Sequence, residues 1–225
     1  MSVYDRMVAI TGGIGAGKSY VSNIFEKQGI PVFNADNCAK DLMNSDSKII
    51  FEFKQLFGES IYHYDFRECV GEPICVNCEL DRKALGDIIF NDKQKKQQLE
   101  AIVHPAVTKV FMDWKYDKIY KKNYPFVMIE NAILTSDSSY KLFKFAILVD
   151  APLEIRKERI MARPGMTQEK MEMIIQQQDN PKDVYSKLLR ADMSVVKILN
   201  DEKTDLYPQI LSLISTFEYR FKNNY

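Results

Sequence analysis

Short apolar runs alternate with longer stretches of helical spacing along this chain. Arg6 to Ile10 reads as a buried strand that leads straight into a glycine-rich turn. From Lys18 to Gln28 the apolar positions Val21, Ile24 and Phe25 fall at helical spacing, and Gly29 supplies the cap that ends the helix. Ile30 to Phe33 is a second short strand, followed by helical stretches at about Asn37 to Met43 and Ser47 to Phe57. Tyr62 to Glu79 mixes aromatics, cysteines, Gly71 and Pro73 without a helical period, which predicts a loop or small hairpin. Arg82 to Phe90 and Lys93 to Val103 return to helical spacing, and Pro105 reads as the first-turn proline of a further helix through about Lys118.

The second half repeats the alternation. Phe126 to Ile129 and Phe145 to Val149 are continuous apolar runs of the kind found in central parallel strands. Leu153 to Ala162 and Gln168 to Gln177 are helices, the latter capped by Thr167; its capping box is incomplete because Lys170 stands at the third position. Val195 to Leu199 is a last strand, and Leu206 to Phe221 an amphipathic closing helix. Strands alternating with helices imply an α/β fold with a parallel sheet. Right-handed crossovers put the loops after the strands along one edge. Gly12 to Ser19, Asn34 to Asp36 and Glu130 to Leu134 are expected to meet there.

The 225 residues suit one globular domain, or one core with an inserted subdomain, and 46% hydrophobic with 28% charged residues suffices for a substantial core. A formal net charge of zero gives no global argument for nucleic acid or an anionic membrane. No apolar run approaches the roughly 20 residues of a membrane span, and the N-terminus lacks the apolar segment of a signal peptide, so the expected compartment is the cytoplasm. Cys75 and Cys78 form a lone C-x-x-C; with only Cys69 and His63 nearby at irregular spacing, they fall short of a zinc site and read as free thiols.

The chemistry begins at Gly12, Gly17, Lys18 and Ser19, which match the phosphate-loop pattern G-x-x-x-x-G-K-[ST] between a strand and a helix. Its glycines let backbone N–H groups face phosphates, and the helix adds the positive end of its dipole. Lys18 is expected to bridge the β- and γ-phosphates of ATP, and Ser19 to ligate Mg²⁺. Asp36, just past the second strand, reads equally as a base for a substrate hydroxyl or as the N-cap of the helix from Asn37. Arg156, Arg159 and Arg163, at i, i+3 and i+7, are expected on one helix face, either as a phosphate clamp or as a solvated face paired with Glu154 and Glu158. His104 reads as a helix-entry residue before Pro105.

Taken in order, these motifs resemble the dephospho-coenzyme A kinase family over nearly the whole chain. The loop from Thr11 to Ser19 is similar to that family's version, and Gly29 to Asp36 to its G-x-P-x-x-D-A-D stretch. Leu80-Asp81-Arg82 with Leu85 resembles L-D-R-x-x-L. Leu99 to Pro105 resembles L-E-x-I-x-H-P, the most discriminating of the set. Gln178 and Ala191-Asp192 resemble its later Q and A-D signatures.

The resemblance implies a three-layer P-loop kinase core (about 1–35, 124–158 and 190–225), a helical substrate-binding subdomain (36–123) and a lid (159–189). It implies transfer of the γ-phosphoryl group of ATP to the 3′-hydroxyl of dephospho-coenzyme A, with Mg²⁺. It assigns catalysis to Asp36, Lys18, Arg159 and Arg163. ATP goes to Gly12, Gly13, Ile14, Gly15, Ala16, Gly17, Lys18, Ser19, Tyr20 and Asn200. The acceptor goes to Asp36, Lys40, Arg82 and His104, and the metal to Ser19 and Glu130. The partner expected is that small molecule, with no nucleic acid and no membrane, for a monomer or weak homo-oligomer. The chain departs from the family pattern at Asn34 and Glu130, each in place of Asp, at Lys40 in place of Arg, and at Ala132, Ser136 and Pro164. The competing readings are a kinase for another small molecule or a nucleoside monophosphate, and a non-catalytic nucleotide-binding relative. A GTPase is disfavoured because no N-K-x-D guanine signature occurs.

Overall fold

The computed structural model describes residues 6–69, 72–131, 142–178 and 180–223, in two compact units. One takes in the chain as far as Asn34 and again from Asp113; the other is Ala35–Met112.

The first unit is built on a five-stranded sheet. Its strands are β1 (Met7–Thr11), β2 (Val32–Asn34), β5 (Val127–Glu130), β6 (Phe145–Asp150) and β7 (Ser194–Leu199), in the order β2-β5-β1-β6-β7. Every pairing is parallel. β1 and β5 are buried along their full length, which is why they appear in the sequence as apolar runs up to the polar residues Thr11 and Glu130 that end them. On one face Val8, Ile10, Met128, Ile147 and Val149 meet Val21, Ile24 and Phe25 of α1 (Lys18–Lys27) and Ile210, Ile214, Phe217 and Phe221 of α9 (Tyr207–Asn223). α1 ends in a Schellman turn: Gly29, at φ 83°, donates to Glu26 O (2.9 Å), and Ile30 donates to Phe25 O (3.1 Å). The chain then turns directly into β2.

The second unit holds α2 (Ala35–Ser45), α3 (Ser47–Phe57), the strands β3 (Tyr62–Cys69) and β4 (Glu72–Leu80), α4 (Arg82–Asn91) and most of α5 (Lys93–Tyr116). Asp46 caps α3 and Asp81 caps α4, each accepting two backbone N–H groups. β3 and β4 form the antiparallel hairpin that the composition of 62–79 allowed, with an irregularity between Asp65 and Phe66. Two bonds tie this hairpin to α2: Tyr62 donates its hydroxyl to Met43 O (2.8 Å), and Leu80 N donates to Asn44 Oδ1 (2.9 Å).

Four expectations are corrected. Pro105 does not open a new helix; α5 runs through it, because the buried stripe Val103, Val107 and Phe111 continues at i+4 spacing and outweighs one lost backbone bond. His104 is therefore a mid-helix residue. α2 begins at Ala35, so Asp36 lies in the first turn and is not an N-cap. α6 (Leu153–Met161) stops at Ala162, which leaves Arg163 in the following turn, off the helical face of Arg156 and Arg159. α7 (Gln168–Gln177) is capped as expected, Thr167 Oγ1 accepting from Lys170 N. A helix without an expectation follows it: α8 (Pro181–Arg190), with Asn180 as its N-cap and Pro181 at the first position.

Of the remaining expectations, Leu134 and Ser136 lie outside the described residues, as do the side chains of Cys69 and Cys75. Cys38 is a free thiol. Among the described residues no three His, Cys, Asp or Glu side chains gather as a metal site, and no helix is long and apolar enough to cross a membrane.

The α9 face rests on an aromatic cluster. Phe217 lies 5.6 Å from Phe126 and 5.8 Å from Phe145, ring centre to ring centre, and is almost fully buried. Phe217→Ala is expected to destabilise the protein by about 3–5 kcal/mol in equilibrium urea unfolding. A change below about 1 kcal/mol would mean that α9 does not hold the sheet.

Candidate active site

The site starts where β1 leaves the sheet. Gly12 has φ 151°, and a Cβ there would stand 2.1 Å from Val149 O of the neighbouring β6. Only glycine lets the chain turn out of the sheet at that closeness. Gly17, at φ 90°, is the N-cap of α1 and offers no side chain to the first turn, so the N–H groups of that turn are left without a side-chain cap, as an anion-binding helix start requires. Lys18 folds back over the loop: Nζ donates to Gly12 O (2.9 Å) and Gly13 O (3.2 Å), and the residue is nearly buried. Tyr20, one turn into α1, is exposed.

Beside the loop, Ser19 Oγ donates to Glu130 Oε1 at 2.7 Å, and Asn34 Nδ2 donates to Glu130 Oε2 at 3.3 Å. These three residues come from the start of α1 and the C-terminal ends of β5 and β2, the edge that the parallel topology selects. Glu130 is 5% exposed. A hydroxyl next to a buried carboxylate is a hard-oxygen donor set, which fits Mg²⁺ better than a thiophilic metal.

Behind the loop stands a brace of polar side chains. Arg156 Nε donates to Ile14 O (2.9 Å); its guanidinium is buried, which pulls its pKa below the ordinary value, with Asp150 opposing. Arg159 Nη1 donates to Gly15 O (3.2 Å), and Nη2 donates to Asn200 Oδ1 (3.3 Å) and pairs with Glu202 at 3.0 Å. Asn200, one residue past β7 and 6% exposed, donates Nδ2 to Ala16 O (3.0 Å). Asp201 next to it shapes the turn by accepting from Thr204 N and Lys203 N, and these bonds hold its carboxyl below the usual range. Gln178, just past α7, accepts from Ile14 N at 2.7 Å.

The reading of Arg156 and Arg159 as a solvated face is therefore overturned: both lie against loop carbonyls, and Glu154 pairs with Lys157 instead. Arg163 is exposed in the turn after α6. Glu202 was not anticipated, and nothing in its local sequence signals it. Gln178 matched a family signature without a role attached.

The remaining site residues belong to the second unit. Asp36 and Lys40 are exposed on α2, one turn apart and so on one face of the helix. Arg82 is the exposed first residue of α4, and His104 is half-buried on α5.

Comparison with known proteins gives the family of the chain. The profile of the CoaE dephospho-CoA kinase family matches residues 6–205. A dephospho-CoA kinase of Porphyromonas gingivalis is 33% identical over 216 residues, covering 96% of both chains. One from Acinetobacter baylyi is 31% identical, over 92% of this chain and 95% of its own. Among solved structures, TT1252 from Thermus thermophilus superposes with a TM-score of 0.68 at 27% identity, covering 94% of this chain and 95% of its own. The dephospho-CoA kinase from Campylobacter jejuni shares the fold, with a TM-score of 0.61 at 24% identity over 97% of this chain and 98% of its own. With a strand–loop–helix phosphate site intact and a family match across most of its length, this chain belongs to the dephospho-CoA kinase family.

Proposed function

We propose that this protein transfers the γ-phosphoryl group of ATP to the 3′-hydroxyl of dephospho-coenzyme A, giving coenzyme A and ADP. The observation that carries the reading is the family match over residues 6–205 together with a complete loop, in which Lys18 folds over Gly12 and Ser19 meets Glu130 of β5. The acceptor is a small molecule, so the reading needs neither nucleic acid nor a membrane. We place the enzyme in the cytoplasm as a monomer or weak homo-oligomer.

In the proposed mechanism the triphosphate lies along Gly12–Ser19, and Lys18 exchanges the carbonyls of Gly12 and Gly13 for β- and γ-phosphate oxygens. Tyr20 and Asn200 belong to the ATP side, Asn200 by shaping the loop at Ala16. Ser19 and Glu130 would hold Mg²⁺, whose charge would neutralise the phosphate oxygens. Asp36 accepts the proton of the acceptor 3′-hydroxyl; the oxygen forms its bond to the γ-phosphorus as the bond to the β–γ bridging oxygen breaks, and ADP leaves. Arg163 is assigned the charge that spreads to the leaving oxygens. Arg159, already bound to loop carbonyls and Glu202, supports the loop from behind. Lys40, Arg82 and His104 are assigned to holding dephospho-coenzyme A. Positioning and electrostatics do most of the work in such a transfer.

The direct test is ADP release by the purified protein with Mg-ATP, with and without dephospho-coenzyme A. Strong acceptor dependence with coenzyme A as product is expected; tight acceptor binding without ADP release would instead mean a non-catalytic relative. Lys18→Ala should lose about 2–4 kcal/mol of transition-state stabilisation, on the order of 30- to 1,000-fold in kcat. Asp36→Asn should bind ATP as the wild type does and lose turnover, and normal turnover in that variant would remove Asp36 as the base.

A further inference from the structure

Inside the phosphate loop the Lys18 ammonium holds the carbonyls of Gly12 and Gly13, at the start of the loop. Within it, Ala16 N donates to Gly13 O at 3.2 Å, while the glycines on either side leave the backbone free to sample many conformations. Its apex is Ile14, between Gly13 and Gly15. Both main-chain polar groups of Ile14 are held by side chains from elsewhere in the unit. Its carbonyl accepts from Arg156 Nε at 2.9 Å, and its N–H donates to Gln178 Oε1 at 2.7 Å, the shorter of the two bonds. Gln178 is brought there by α7, which is fixed at its start by the Thr167 cap and along its length by the buried Met171.

We infer that Gln178 is a positioning residue for nucleotide binding: through the Ile14 N–H it couples the end of α7 to the shape of the phosphate loop. A glycine-rich loop held in its binding geometry loses less conformational entropy when a triphosphate arrives, and that saving appears as affinity. The amide suits the task because it accepts the N–H without adding negative charge beside the phosphates. Thermodynamic linkage makes the coupling reciprocal, so nucleotide on the loop must also order the segment 168–178.

The inference rests on Gly12–Ser19 as the triphosphate site and is independent of the acceptor. It is tested by calorimetric binding of Mg-ATP, without acceptor, to the wild type and to Gln178→Met, which keeps the side-chain length and removes the accepting oxygen. The variant is expected to bind about three- to tenfold more weakly, the range that one net hydrogen bond gives. Its Ile14 amide is expected to exchange faster with deuterium in the nucleotide-free protein, with little change in thermal midpoint. In the wild type, Mg-ATP should slow exchange across residues 168–178. Binding by the variant that is tighter, or within about twofold of the wild type, overturns the inference while leaving the kinase reading intact. No ATP binding by the wild type removes the loop reading and the inference together. Should Gln178→Met fail to fold, the wild-type exchange experiment decides alone: no ATP-dependent protection across 168–178 overturns the coupling.

Discussion

The close passage of Gly12 past Val149 is the constraint on which the rest of the site depends. β1 lies at the centre of the sheet with strands on both sides, so the chain leaving it has to clear a neighbouring backbone carbonyl before it can turn. A glycine there lets the loop begin at the sheet edge itself. That places the first turn of α1, with its N–H groups unclaimed by any cap side chain, directly above the ends of β2 and β5. Ser19, Asn34 and Glu130 then meet because the topology leaves them adjacent.

Two departures from the family pattern make sense together in this geometry. Asn34 and Glu130 are register partners on neighbouring strands, with Asn34 Nδ2 3.3 Å from Glu130 Oε2. The longer arm of Glu130 reaches Ser19 with one oxygen while the other accepts the Asn34 amide. An Asp at position 34 would set a second carboxylate against a buried one, and like charges at that separation disfavour each other's ionisation. The amide turns the repulsion into a bond and leaves a single carboxylate beside the Ser19 hydroxyl.

The loop is also supported by buried polar groups whose desolvation has to be offset. Arg156 and Asn200 are both nearly inaccessible to water, and each spends a hydrogen bond on a loop carbonyl, at Ile14 and Ala16. Arg159 adds Gly15 and is in turn paired by the exposed Glu202, which reaches it from a left-handed backbone conformation at φ 65°. Removing Arg156 or Asn200 would leave the loop carbonyl it serves short of a partner in a dry setting, where the penalty exceeds the net worth of the bond itself.

Much of this was legible in the residues alone. Strands with both faces buried are apolar up to their functional ends, so β1, β5 and β6 stood out as apolar runs. The phosphate loop was legible because its chemistry demands glycine, lysine and serine at fixed local spacing. The cap of α7 at Thr167 is likewise a local hydrogen bond between near neighbours. What the chain pattern did not decide depends on contacts distant in sequence. Pro105 looked like a helix start, yet the buried stripe through Phe111 carried α5 across it. The three arginines looked alike by spacing, but where α6 ends sent Arg163 into a turn while burial drew Arg156 and Arg159 onto the loop. Gln178 and Glu202 act on residues 164 and 43 positions away along the chain, at Ile14 and Arg159. Local periodicity carries no information about such pairs; only the packing of α6, α7 and the end of β7 around the loop brings them into bonding distance.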